Sequence, residues 1–106
     1  MAGLALAVIE RLSQIRQTNE LRHQVFCNEI RPGMDESQVA NVLLEYGQFT
    51  QSISSVGSFE VIYVAFSDPT VHHSFGGQPI VLSFDNGKFV RATLPTFSDA
   101  YEPICP

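Results

Sequence analysis

The chain has 106 residues, 44% of them hydrophobic and 16% charged, with a net charge of −5 and an isoelectric point near 4.9. That length and apolar fraction suit a single domain in which one helical layer covers one sheet, and the acidic balance argues against nucleic acid as a partner because no basic footprint meets a phosphate backbone. There is no repeat or low-complexity run, and with no Trp the packing falls to eight Phe, three Tyr and the aliphatic residues.

From Leu4 to Phe26 the spacing predicts a long amphipathic helix, with Ala5, Val8, Ile9, Leu12 and Ile15 in one stripe and Glu10, Arg11, Gln14 and Gln17 elsewhere. Residues 1–26 are therefore read as an N-terminal helix and 27–106 as an α+β domain with a C-terminal tail. The apolar run Leu4–Ile9 is too short to cross a bilayer, and no charged segment precedes it as in a signal peptide. It is either the remnant of a longer protein carrying an anchor or signal upstream, or a stripe that docks on the core or on a second copy as a homodimer. Beyond Ile15 the pattern weakens through Gln17, Thr18, Asn19, Glu20, Arg22 and His23.

Cys27 and Cys105 stand far apart, one before a turn and the other at the end of the chain. Paired, they staple the tail to the domain, add about 4 kcal/mol by chain entropy and imply an oxidising compartment. Unpaired, they are two buried thiols of a cytosolic protein.

The stretch Ile30–Gly47 carries a full set of helix signals. Pro32-Gly33 turns the chain, Asp35 and Gln38 form a capping box, and a helix is expected from about Glu36. Val39, Val42, Leu43 and Tyr46 give it one apolar face, and Gly47 is expected to end it in the left-handed conformation.

Gln48–Ser58 is polar and rich in Ser, either a ragged edge strand or a connection. Phe59–Ser67 is the clearest strand, and both of its faces are expected to be largely covered. Asp68-Pro69 ends it, and a loop of about ten residues with His72, His73 and Gly76-Gly77 leads to Pro79. Ile80–Asp85 and Lys88–Leu94 make a hairpin. A two-residue Asn86-Gly87 turn would set Leu82 opposite Arg91, so a three-residue loop with Gly87 as a bulge is expected, sorting Ile80, Leu82, Phe84, Val90, Ala92 and Leu94 inward and Ser83, Arg91 and Thr93 outward. The tail Pro95–Pro106, with three prolines, is expected to be irregular.

The run Ile30-Arg31-Pro32-Gly33-Met34-Asp35, the helix with Val39, Val42 and Leu43, and Leu82-Ser83-Phe84-Asp85-Asn86-Gly87-Lys88 together resemble the SmpA/OmlA (BamE-like) superfamily, over roughly Ile30 to Leu94. The resemblance implies an α+β fold of two helices packed on one face of a three- or four-stranded antiparallel sheet. It also implies an extracytoplasmic place, periplasmic or in the cell envelope: relatives of this kind are envelope lipoproteins that stabilise the outer-membrane barrel assembly machine, or secreted domains similar to beta-lactamase inhibitor proteins. The chain departs from that pattern at Val25-Phe26, which is no lipobox for Cys27, at Leu44-Glu45-Tyr46-Gly47, where the family has Leu-Gly followed by Pro, and over Gln48–Ser58.

No catalytic, cofactor or metal site is expected. Adjacent His72 and His73 point apart on an extended chain and complete no ligand set with Asp68, Gly76-Gly77 lacks the Lys-Ser/Thr of a phosphate cradle, and no Gly-x-Ser-x-Gly elbow occurs. Glu60, the one charge in the main strand, is read as an edge or rim residue. The functional expectation is a non-enzymatic interaction module for another protein, using either the first helix or an uncovered sheet face with Val81, Phe89, Arg91 and Thr93. The alternative is a small ligand-binding or enzymatic domain with a cleft between helices and sheet near Tyr63 and His72.

Overall fold

The computed structural model describes residues 15–95 and 101–105. It is an α+β fold in which helices pack on one face of a five-stranded antiparallel sheet of order β1-β2-β3-β4-β5, a meander in which chain neighbours are sheet neighbours. The strands are β1 (Phe49–Val56), β2 (Phe59–Phe66), β3 (Ile80–Asp85), β4 (Lys88–Pro95) and β5 (Tyr101–Pro103). The sheet has five strands where three or four were expected: Gln48–Ser58 supplies the edge strand that was one of its two readings, and a short piece of the tail joins as well.

Residues 15–23 are α-helical (α1) and run into a π-helical turn, Gln24–Glu29, closed by an amide bond from Ile30 to Val25 O at 2.8 Å. The wider turn buries the consecutive Val25 and Phe26 together with Ile30. The helix therefore passes the expected end at Phe26 and carries Cys27 inside it. Of the predicted apolar stripe, Ile15 is described and is exposed, while Ala5, Val8, Ile9 and Leu12 lie outside the described residues.

Helix α2 (Glu36–Leu44) starts as its local signals dictate. Asp35 Oδ1 accepts from the Gln38 amide at 2.9 Å, and the Asp35 amide donates to Gln38 Oε1 at 3.0 Å, a reciprocal capping box. Val39 and Leu43 are buried, with Val42 and Tyr46 half-buried beside them. Gly47, at φ 158°, is not in the expected left-handed helical conformation; the chain leaves α2 through turn residues 45–46 and reaches Gly47 almost extended.

The segment before α2 also covers a sheet edge. The Gly33 amide donates to Phe89 O at 2.9 Å and the Phe89 amide donates to Met34 O at 2.7 Å, so the Pro32-Gly33 turn lies along the start of β4. Farther along, β4 pairs with β5 through Thr93↔Pro103, Leu94↔Glu102 and Pro95↔Tyr101. The tail is not irregular there, since Pro103 has no amide to lose from a ladder it joins only at the sheet's edge.

The β3–β4 hairpin corrects the expected loop. Asp85 pairs with Lys88 and Phe84 with Phe89, leaving a two-residue turn in which Asn86 and Gly87 both have positive φ, 51° and 76°. The mismatch this turn would create is removed one step later: the register shifts between Phe84 and Ser83, Val90 becomes the extra residue, and Ser83 then faces Arg91 and Leu82 faces Ala92. Val90 consequently stands 37% exposed instead of inward, while Phe89 is buried against Phe84, ring centroids 5.7 Å apart.

The loop expected after β2 contains a short helix, α3 (Pro69–Ser74). Asp68 Oδ1 accepts from the Thr70 amide at 2.8 Å and Pro69 occupies the first turn, so the residues that end β2 also start α3. Phe75, just beyond, is 1% exposed and is the hub of an aromatic cluster: it stacks on Phe66 at 4.7 Å and meets Phe26 and Tyr46 edge-on at 6.0 and 5.7 Å. Arg22 Nε donates to Phe75 O at 2.9 Å, latching this loop to α1.

Cys27 and Cys105 form a disulfide across 78 residues, with Cα atoms 5.7 Å apart. No helix among the described residues is long and apolar enough to cross a membrane.

Candidate functional site

The sheet has two unlike faces. Toward the helices point Glu60, Ile62, Val64 and Phe66 of β2, Ile80, Leu82 and Phe84 of β3, and Phe89 and Ala92 of β4, nearly all buried. On the other face stand Phe59, Tyr63, Arg91 and Tyr101, all exposed, with Val81, Ser83 and Thr93 sunk between them. Both faces of β2 were expected to be covered; instead Phe59 and Tyr63 are 41% and 38% exposed, so cover is one-sided.

Val81 and Thr93 are cross-strand partners on this second face yet are only 3% and 7% exposed. A pair of tyrosines accounts for it. The Tyr63 and Tyr101 hydroxyl oxygens lie 3.2 Å apart although their strands, β2 and β5, are separated by β3 and β4. Hydroxyls can meet over that span only if both side chains lie down across the sheet, roofing what is between. The result is a low aromatic surface with polar tips, with Arg91 exposed on the same face.

Of the four residues expected on an uncovered face, Val81, Arg91 and Thr93 do share one, with Arg91 exposed and the other two beneath the tyrosines. Phe89 does not: it is 3% exposed on the helix side, put there by the bulge at Val90. Sequence reasoning missed Tyr101, since no periodicity marks a three-residue strand in a proline-rich tail.

A second feature is a groove of about 240 Å³ between α2 and the first three strands, walled by Val39, Leu43, Phe49, Ile62, Leu82 and Phe84. Glu36, the first residue of α2, is on its lining. The Glu36 carboxyl is held above its ordinary range, chiefly by a side-chain hydrogen bond in which its protonated form donates to Glu60, then by burial and by the like charge of Glu60. Glu60 Oε1 is buried with no hydrogen-bond partner. Glu60 lies on the helix side of the sheet, half-buried, in register with Phe84 and Ser55.

The expected cleft near Tyr63 and His72 is not where the groove lies: Tyr63 faces the opposite side of the sheet, and His72 is on α3. Among the described residues no group of three or more His, Cys, Asp or Glu is placed to hold a metal ion. Elsewhere, Tyr46 donates from its hydroxyl to Glu29 Oε2 at 2.6 Å, and burial together with that carboxylate pushes the phenol up to about 12.

These features define a small disulfide-tied α+β domain: a five-stranded meander, helices on one face and a tyrosine-roofed surface on the other. No protein-family model, no curated protein and no solved structure matches the chain.

Proposed function

We propose that this chain is a non-enzymatic, extracytoplasmic protein-interaction module that docks a protein partner on the sheet face opposite its helices. The observation that carries the reading is the pair of tyrosines lying across that face beside Arg91, with Phe59 exposed at its border. Tyrosine and arginine are side chains that protein interfaces favour: each offers a large contact area with a polar tip, and tyrosine, with only two side-chain torsions, loses little rotamer freedom on burial. No helix among the described residues lies on this face. The disulfide supports an oxidising compartment, and the resemblance of the Pro-Gly-Met turn, helix and Asn-Gly hairpin to the SmpA/OmlA superfamily points to a role in envelope assembly or scaffolding.

A photo-crosslinking residue at position 91, compared with one at exposed Glu45 outside this face, tests the reading in extracts of the native compartment. A discrete protein adduct at position 91 and none at 45 is expected. Adducts at both positions, or at neither, overturn the proposal.

A further inference from the structure

We propose that the free edge of β1 is a self-association surface: two copies of this chain pair their β1 strands antiparallel about a two-fold axis through Ile53, joining their sheets into one. The inference is independent of the docking face proposed above and would stand if that reading failed, because an axis perpendicular to the sheet leaves that face of each copy open.

The two edges of the sheet differ in kind. At one end the outermost strand, β5, is three residues long, contains Glu102 and Pro103, and is followed by the disulfide at Cys105. Short strands, charges and prolines are what keep an edge from recruiting another chain. The other edge, β1, has none of these protections. It is eight residues long, pairs with β2 from Phe49↔Phe66 to Val56↔Phe59 without a bulge, and contains no proline and no charged residue. Residues 50–56 are all exposed, Ile53 at 50% and Val56 at 79%. Among the described residues none pairs with the outer side of β1.

The ladder fixes which backbone groups that edge offers. The Ser67 amide donates to Gln48 O at 2.9 Å, and this pair continues the β1–β2 register by one step. Bonded and non-bonded pairs alternate along antiparallel strands, so Thr50, Ser52, Ser54 and Val56 direct their N–H and C=O groups to β2. Phe49, Gln51, Ile53 and Ser55 therefore turn theirs outward, and a further strand can bond only to that set.

A second copy meets the condition with its own outward set. With Ile53 on the axis, it faces the partner's Ile53 and Gln51 faces the partner's Ser55, giving about six main-chain hydrogen bonds in an isologous contact. The same register sets each exposed Ile53 against its counterpart and Val56 beside the partner's Thr50, both favourable cross-strand pairs. Charge selects this occupant. A chain of net charge −5 repels its own kind wherever acidic residues would be opposed, and β1 is a stretch where self-pairing opposes none.

The test is sedimentation velocity on the intact, disulfide-bonded chain over about a hundredfold dilution, with amide hydrogen exchange at both ends of the series. A reversible monomer–dimer equilibrium is expected, with the Gln51, Ile53 and Ser55 amides exchanging about tenfold or more slowly in the concentrated sample. Gln51→Pro removes an outward N–H without breaking the β2 ladder, and Ile53→Lys opposes two like charges across the axis. Each is expected to weaken dimerisation about tenfold or more with an unchanged circular dichroism spectrum, and should one fold poorly the other carries the comparison. A dimer unaffected by both variants, or protection confined to amides outside β1, would overturn the pairing. A chain monomeric at every concentration would overturn it too, leaving the edge to a strand of another protein.

Discussion

Single residues set the protein's pH behaviour. Tyr46 sits above its ordinary value of 10.0, at about 12, because burial and the Glu29 carboxylate favour the phenol over the phenolate. Since the folded value is the higher one, the stabilisation is complete below pH 10 and disappears as pH rises through about 12. Tyrosinate absorbance during alkaline titration should show a late-titrating component that is lost in Tyr46→Phe, which should also cost about 1 kcal/mol in denaturant unfolding at neutral pH. Glu36 carries the same sign: its folded value is raised above 4.5, so its protonated form stabilises the fold at acid pH and that advantage is lost as pH rises through the raised value. Compared across a pH series, the wild type should lose unfolding free energy relative to Glu36→Gln as pH rises from about 4.5. A difference that stays flat would separate Glu36 from Glu60. None of this was legible in the sequence, where Glu36 is a helix-start residue and Glu60 an isolated charge in a strand; only the fold brings the two together.

At the scale of elements, local signals served where the determining atoms are neighbours in the chain. The capping box is such a case, as all four of its atoms belong to Asp35 and Gln38. Asp35→Ala should cost about 1 kcal/mol in unfolding free energy, with most of the loss recovered by Asp35→Asn. The same locality explains α3 in retrospect, because Asp68-Pro69 is as good a helix start as a strand stop. The β3–β4 hairpin shows the limit. Patterning correctly required Leu82 and Ala92 to share a face, but two mechanisms meet that requirement, a longer loop or a bulge farther along the strand. The Phe89 backbone helps decide between them: its N–H and C=O are both taken by the Met34 and Gly33 turn, a contact between segments more than fifty residues apart. Strand β1 could be read only as one of two alternatives, an edge strand or a connection, and β5 not at all, for a related reason. An edge strand owes its existence to its neighbour's unpaired backbone, not to its own composition.

For the whole molecule, the disulfide and the one-sided helical layer are the organising facts. Cys27 lies in the π-helical turn whose Val25 and Phe26 enter the core, and Cys105 follows the last strand, so the bond ties the two flanks of the sheet domain together. Reducing it, or replacing both cysteines by Ser, should lower the unfolding free energy by about 2–4 kcal/mol, and the unreduced protein unfolded in denaturant should titrate no free thiol. Among the described residues, the helices lie on one side of the meander, and on the opposite face the tyrosines of β2 and β5 close over the centre.

By itself, the sequence determined the α+β class, the α2 start, the main strand and the inward set Ile80, Leu82, Phe84 and Ala92. Each follows from periodicity or from bonds within a few residues. Tertiary structure alone decided which face Phe89 joins, that Tyr63 and Tyr101 meet, and that Glu36 faces Glu60. Those outcomes depend on register and packing between distant segments, where a one-residue shift in pairing moves a side chain to the other side of the sheet.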